Sequence, residues 1–225
     1  MTDLFSLQRV LEYFPKVLSR LPVTLLITVL ATAVGILLGI ALAFVRLHKV
    51  PVLNQITLVF VSFMRGTPII VQLFVVFYGL PTLLLLVGID INRCDKMIYV
   101  IVTYGLNASA FMAEIFRASI SSVPAGQSEA AYTVGLTKWQ TFRRIVAPQA
   151  VRIALPSLGV SLVGLLQDTS VAFPLGIIDI MGKVRAIGAN TYHFLEGYVA
   201  AAVIFVVFSI LIEKSFSLLT KRFAY

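Results

Sequence analysis

Asp168, Glu114 and Asn107 carry chemistry that is out of place, because each lies within or at the end of a long apolar run. An ionisable group at the membrane centre costs about 2.5–3.5 kcal/mol on insertion scales, so it calls for a partner or a water-filled cavity. Asp168, in Gln167-Asp168-Thr169-Ser170, either lines a solute cavity or caps a broken helix through backbone amides. Glu114 stands three residues before Arg117 on one helix face, the spacing of an interfacial ion pair. The Asn107 amide, beside the small Ala108, Ser109 and Ala110, can bond a neighbouring helix or a polar solute. No catalytic or metal constellation accompanies them. Cys94 is the single cysteine, His48 and His193 are isolated, and neither a phosphate-binding loop nor a Gly-x-Ser-x-Gly elbow occurs. An intramembrane enzyme using Asp168 or Glu114 would lack a paired nucleophile or metal ligand. If ATP is used, another chain must hydrolyse it.

A second group of residues is set outside the membrane. Val123 to Pro148 is a polar and small-residue island between apolar runs. Its punctuation predicts two short helices, Glu129 to Val134 ending at Gly135, then Lys138 to Ala147 stopped by Pro148. Thr137 and Gln140 have the spacing of a capping box, which fixes the second start. Trp139, Phe142, Ile145 and Val146 share one face of that helix, away from Lys138, Arg143 and Arg144. A helix pair with arginines also suggests duplex DNA, but short tethers to two membrane spans deny it access, so no nucleic acid is expected.

The elements that must position these residues follow from composition. The chain is 59% hydrophobic and 12% charged, with mean hydropathy +0.97, as expected of an all-α integral membrane protein. No linker or repeat divides it, so residues 1–225 read as a single domain. Residues 1–20 alternate apolar and charged positions, the pattern of an amphipathic helix on the membrane surface rather than a cleaved signal. Five spans are predicted, Leu21 to Val45, about Gly66 to Gly88, Met97 to about Arg117, Ile153 to Ile178 with Asp168 inside it, and Gly197 to about Phe216. A helix from Val52 to Met64 enters the second from the surface, and Arg65-Gly66-Thr67-Pro68 breaks the chain where Arg65 reaches toward headgroups. Gly35 and Gly39 form a Gly-x-x-x-Gly pair that either admits a close neighbouring helix or is simply tolerated. Asp179 to Glu196 is long enough for a helix outside the membrane. The net charge of +8 reads as topology. With the N-terminus outside and the C-terminus inside, 11 of the 18 basic residues face the cytoplasm, as does the polar island within residues 118–152.

The residues of that island resemble the permease subunits of ATP-binding-cassette importers, in the polar amino acid branch. The family's cytoplasmic signature is Glu-Ala-Ala, three residues, Gly, nine residues, Ile-x-Leu-Pro. Here it reads Glu129-Ala130-Ala131, Gly135 and Ile145-Val146-Ala147-Pro148, with Ala147 where Leu is usual. Arg65 to Pro68, Asn107 to Arg117 and Asp168-Thr169-Ser170 also resemble that branch, with Gln167 in place of a common Lys and Phe111 in place of a common Tyr. The resemblance implies a type I importer fold in the bacterial inner membrane, whose loop docks a separate ATPase through Glu129, Ala130, Ala131, Gly135, Ile145 and Pro148. It implies a solute path for a polar amino acid past Asn107, Gln167, Asp168, Thr169 and Ser170. Further implied partners are a second permease subunit, an external solute-binding protein and membrane lipid. ATP and Mg would be bound by the ATPase and no cofactor by this chain. A passive channel or scaffold is the competing reading, and it leaves the helix pair unexplained.

Overall fold

A computed structural model of the chain describes residues 5–222, and among these it is all helix and turn. The elements are α1 (Leu7–Leu18), α2 (Leu21–Leu47), α3 (Leu53–Gly66), α4 (Ile69–Phe74), α5 (Leu80–Leu85), α6 (Lys96–Ser121), α7 (Ala125–Thr133), α8 (Lys138–Thr141), α9 (Ala147–Asp168), α10 (Ile180–Thr191) and α11 (Phe194–Arg222). Three helical segments, α2, α6 and α11, and the run from Lys138 to Val171 are each long and apolar enough to cross a membrane. A fifth candidate is the pair α3 and α4–α5, bent by 114° at Thr67-Pro68.

The bundle is centred on α6, which packs along α2. A Cβ built on Gly35 would lie 2.8 Å from Ala108 Cβ, and one on Gly39 would lie 2.9 Å from Met112 Cβ. The two glycines therefore let the helix axes approach, which settles the Gly-x-x-x-Gly pair as a packing device. Around that seam Ile27, Ala31, Leu73, Tyr104, Met112 and Leu165 form the main core. Tyr13, Val17, Ile180, Val184 and Ile204 form a second core that joins α1 and α10 to α11.

Helix α1 does not lie free on a membrane surface. Val10, Tyr13 and Val17 are buried against α10 and α11, and Arg9 Nη1 meets the buried Glu196 Oε1 at 3.1 Å, because a helix with one apolar face packs wherever that face finds cover. Residues 1–4 of the amphipathic segment lie outside the described residues.

Prolines bring a second correction. Pro148 does not stop a helix. Lys138 begins a run that turns into a π-helical segment at Phe142–Val146 and continues as α9, so the helix that carries the fourth span starts well before Ile153. Proline lacks the N–H that would bond the carbonyl four residues back, and a widened turn just before it absorbs that loss. The Ala147 N–H reaches back to Phe142 O, and Gln149 Nε2 donates to Ile145 O at 2.9 Å. Pro81 follows the π-helical turn Val75–Gly79 in the same way.

Candidate functional site

The break at Thr67-Pro68 is built by amides. The residue before a proline is driven to extended backbone, and Thr67 sits at φ −120°, ψ 145°. Pro68 has no N–H to offer Met64 O, its partner in an unbroken helix. Two side chains replace it, Gln72 Nε2 at 2.8 Å and Asn107 Nδ2 at 3.1 Å. Gln72 Nε2 also donates to Thr67 O and Thr67 Oγ1, and Gln72 Oε1 accepts from Asn107 Nδ2 at 3.0 Å. Asn107 thus takes the first of its two expected roles, bonding a neighbouring helix. Gln72, only 1% exposed, holds this break together, and its only mark in the sequence is a lone amide inside an uncharged apolar span.

Asn107 also borders a cavity of about 340 Å³ between α6 and α9. Ala108, Phe111 and Ile115 line it from α6, and Ser157, Ser161, Gly164 and Asp168 line it from α9. The α9 residues recur at intervals of four, three and four, so they form one polar and small-residue stripe on that helix. The stripe is legible in the sequence only once the face opposite α6 is known. Asp168 makes no side-chain cap bond; it borders the cavity instead, while its backbone carbonyl accepts from Tyr104 Oη at 3.1 Å. Asn107 and Asp168 are therefore brought together. Gln167 is exposed outside the cavity, Thr169 is buried with its Oγ1 donating to Leu166 O at 2.7 Å, and Ser170 is half-buried outside the lining.

Below the cavity, Glu114 is held by two arginines. Its pairing with Arg117 at 2.8 Å is the one expected from spacing, and Arg46 of α2 adds a second bond at 2.8 Å across the helix seam. Arg65 is exposed, and its guanidinium lies 5.4 Å from the Phe111 ring centroid, against the cavity's aromatic wall.

The polar island forms a compact elbow. Helix α7 begins at Ala125, earlier than expected, and ends in Gly135 at φ +83°, a left-handed turn that glycine adopts without strain. The Leu136 N–H closes the end by donating to Ala131 O at 3.1 Å. The Thr137–Gln140 capping box is present in both directions, with Thr137 N–H donating to Gln140 Oε1 at 2.9 Å. Glu129, Ala130, Gly135 and Pro148 are exposed, Ile145 is half-buried, and Ala131 is 5% exposed, enclosed by the elbow itself. Glu129 makes no ion pair among the described residues, and Tyr132, Val134 and Trp139 stand out as exposed apolar side chains around it.

Asp179 lies between the last two candidate spans, fully buried, and caps α10 through Gly182 N–H at 2.8 Å. Its Oδ2 has no hydrogen-bond partner, and burial pushes its carboxyl above the ordinary carboxylate range, against the opposing pull of the Gly182 N–H.

A family model described as binding-protein-dependent transport system inner membrane component matches residues 35–225. The chain is 41% identical over 222 residues to the L-cystine transport system permease protein TcyL of Bacillus subtilis (strain 168), covering 99% of this chain and 93% of that protein. It is 30% identical over 208 residues to the glutamine transport system permease protein GlnP of Escherichia coli (strain K12), covering 92% and 93%. The crystal structure of an amino acid ABC transporter with histidines matches with a TM-score of 0.84 at 30% identity, over 99% of this chain and 100% of that one. An inward-facing structure of the MetNI methionine ABC transporter shares the fold, with a TM-score of 0.71 at 18% identity over 89% and 92%.

Proposed function

We propose a role for each part of the chain from one premise: it belongs to the family of binding-protein-dependent transport system inner membrane components. It is a membrane-spanning permease subunit of an amino-acid importer driven by ATP, and hydrolysis resides in a separate subunit. The ATPase binds ATP and Mg, and an external binding protein delivers the solute. A second permease subunit, identical or similar, completes the pathway, because the cavity here is walled by only two helices of this chain.

The elbow at Glu129 to Pro148 seats in the ATPase at the cytoplasmic face. Glu129 offers a carboxylate to a cation of the partner, Ala130 and Gly135 permit close backbone approach, and the exposed Tyr132 and Val134 fill its groove. The observation that carries this reading is the continuity of the elbow with α9. One helical run from Lys138 to Val171 links the docking surface to Asp168 at the cavity, so a displacement of the elbow moves the cavity wall. Closure of the ATPases then switches the packing between inward- and outward-facing arrangements.

At the cavity a polar amino acid meets two acceptors. Both Asn107 Nδ2 hydrogens are committed to Met64 O and Gln72 Oε1, which leaves Oδ1 to accept beside the Asp168 carboxylate. Such a pair fits an ammonium group, which every amino acid carries, and does not select a cationic side chain. Gln167, Thr169 and Ser170 support the end of α9 around it.

Glu129→Lys and Gly135→Asp are expected to lower ATPase co-purification and uptake together. Normal values of both would refute the docking assignment. Asp168→Asn is expected to raise the KM for uptake, and unaltered kinetics would remove it from the path. Uptake that persists after ATP depletion would point to a passive channel.

A further inference from the structure

Between α2 and α9, on the far side of α6 from the Gln72 network, lies a second and larger cavity of about 590 Å³. Ile40 and Phe44 form one wall, Phe116 the floor, and Ala150 and Ala154 the other wall. The polar lining is confined to one end. His48 just beyond the end of α2, Ser119 near the end of α6 and Lys138 at the start of α8 all border the groove near these helix ends. A dipolar solute would find no partner along the rest of it.

We propose that this groove is a binding site for one acyl chain of an anionic phospholipid, drawn from the leaflet on the elbow's side, with its phosphate against Lys138. Length supports the assignment. Ile40 to His48 spans about 12 Å and Ala147 to Leu158 about 16 Å at 1.5 Å per residue, close to half of a hydrocarbon core about 30 Å thick. Charge supports it too. Lys138 lies on the rim and the exposed Lys49 follows His48, while the neighbouring Arg46 is committed to Glu114. Trp139, 67% exposed at the lip, is an amphipathic ring of the kind that settles at headgroup depth. A chain seated there fills the space beneath the elbow and braces α8 against α2. The site rests on the reading of the elbow as cytoplasmic only for the identity of the leaflet.

The test uses the full transporter complex in lipid nanodiscs containing phosphatidylglycerol or phosphatidylcholine with a photoreactive group in the acyl chain, mapped by mass spectrometry. Phosphatidylglycerol is expected to label Ala150 to Leu158 and Ile40 to Phe44 more strongly than the exposed apolar stretch around Val206 of α11. Lys138→Gln is expected to weaken the preference for phosphatidylglycerol by about fivefold, the value of one cation near a headgroup. Val151→Trp, at a 46% exposed position on the groove, fills it and removes the labelling, while α11 labelling reports that the protein is folded. Equal labelling by both lipids, labelling that survives Val151→Trp, or crosslinks from the groove to a second copy or to the ATPase overturns the proposal. In vesicles labelled in one leaflet, labelling from the outer leaflet alone keeps the lipid site and overturns the orientation instead.

Discussion

Gly39→Ala and Gly164→Ala form a matched pair whose difference isolates the close packing of α2 on α6. Both glycines lie inside helices, so alanine stabilises each by about 1 kcal/mol through helix propensity. At Gly164 a Cβ meets nothing within 4 Å, and that gain stands alone. At Gly39 the new Cβ would lie 2.9 Å from Met112 Cβ, 3.2 Å from Ala113 N and 3.3 Å from Ser109 O. Two of those atoms are backbone and the third is a Cβ, so no side-chain rotation relieves the contact and the helices must part. Overpacking of this kind costs about 1–3 kcal/mol, which cancels or outweighs the propensity gain. The expected result is that Gly164→Ala is stabilised, Gly39→Ala is neutral to destabilised by about 2 kcal/mol, and the two differ by about 1–3 kcal/mol. Loss of helical circular dichroism on heating the purified complex reads this as a Tm gap of about 2–12 °C, at about 2–4 °C per kcal/mol for a chain of this size. Equal midpoints, or a higher one for Gly39→Ala, would refute the tight seam.

Gln72→Leu removes the amide donations to Met64 and Thr67 and the acceptor for Asn107, so it is expected to cost about 1–3 kcal/mol in thermal unfolding and to slow uptake, while the isosteric Gln72→Glu keeps the acceptor alone and rescues little. Gly135→Ala places a side chain at φ +83° in open space, a pure strain of about 1–2 kcal/mol that should weaken retention of the ATPase in a pull-down, whereas Gly126→Ala, at ordinary φ with nothing within 4 Å, should not. Asp179 makes stability pH-dependent. Its folded pKa is raised above the ordinary 3.8, so its contribution is full below that value and is lost as pH rises through the folded pKa. Asp179→Asn keeps the cap without the charge, and its stability advantage over the native chain should grow from pH 4 upward to a plateau. A difference that is flat with pH removes Asp179 as the cause.

Much of this architecture is written in local patterns. The uncharged runs give the spans, because backbone in hydrocarbon must be helical and its length is fixed by the bilayer. The capping box at Thr137 and the left-handed turn at Gly135 are equally local, since each depends on residues within one turn. What is not legible depends on partners distant in the chain. Asn107 reads as a free amide until Met64 and Gln72 are placed beside it, and Glu114 reads as a pair with Arg117 until α2 brings Arg46 across. The amphipathic pattern of α1 shows that one face must be covered but not by what, and α10 and α11 supply the cover here.

Pro148 shows most clearly how a local rule gives way. Proline after ten helical residues reads as a terminator, because its ring and missing donor disrupt an ordinary turn. The π-helical turn at Phe142–Val146 shifts the bonding by one residue and lets the helix pass, with the Gln149 amide taking up the Ile145 carbonyl. The mechanical consequence is opposite to that of a stop. A terminator would have left a flexible joint between the elbow and α9, and force applied at Glu129 would dissipate there. A continuous helix with a widened turn bends at one place and is stiff on both sides. Restoring ordinary helical bonding by Pro148→Ala should therefore alter the coupling of hydrolysis to uptake, read as ATP consumed per solute moved in complexes that retain the ATPase. If that ratio is unchanged, the widened turn accommodates the proline and does nothing more.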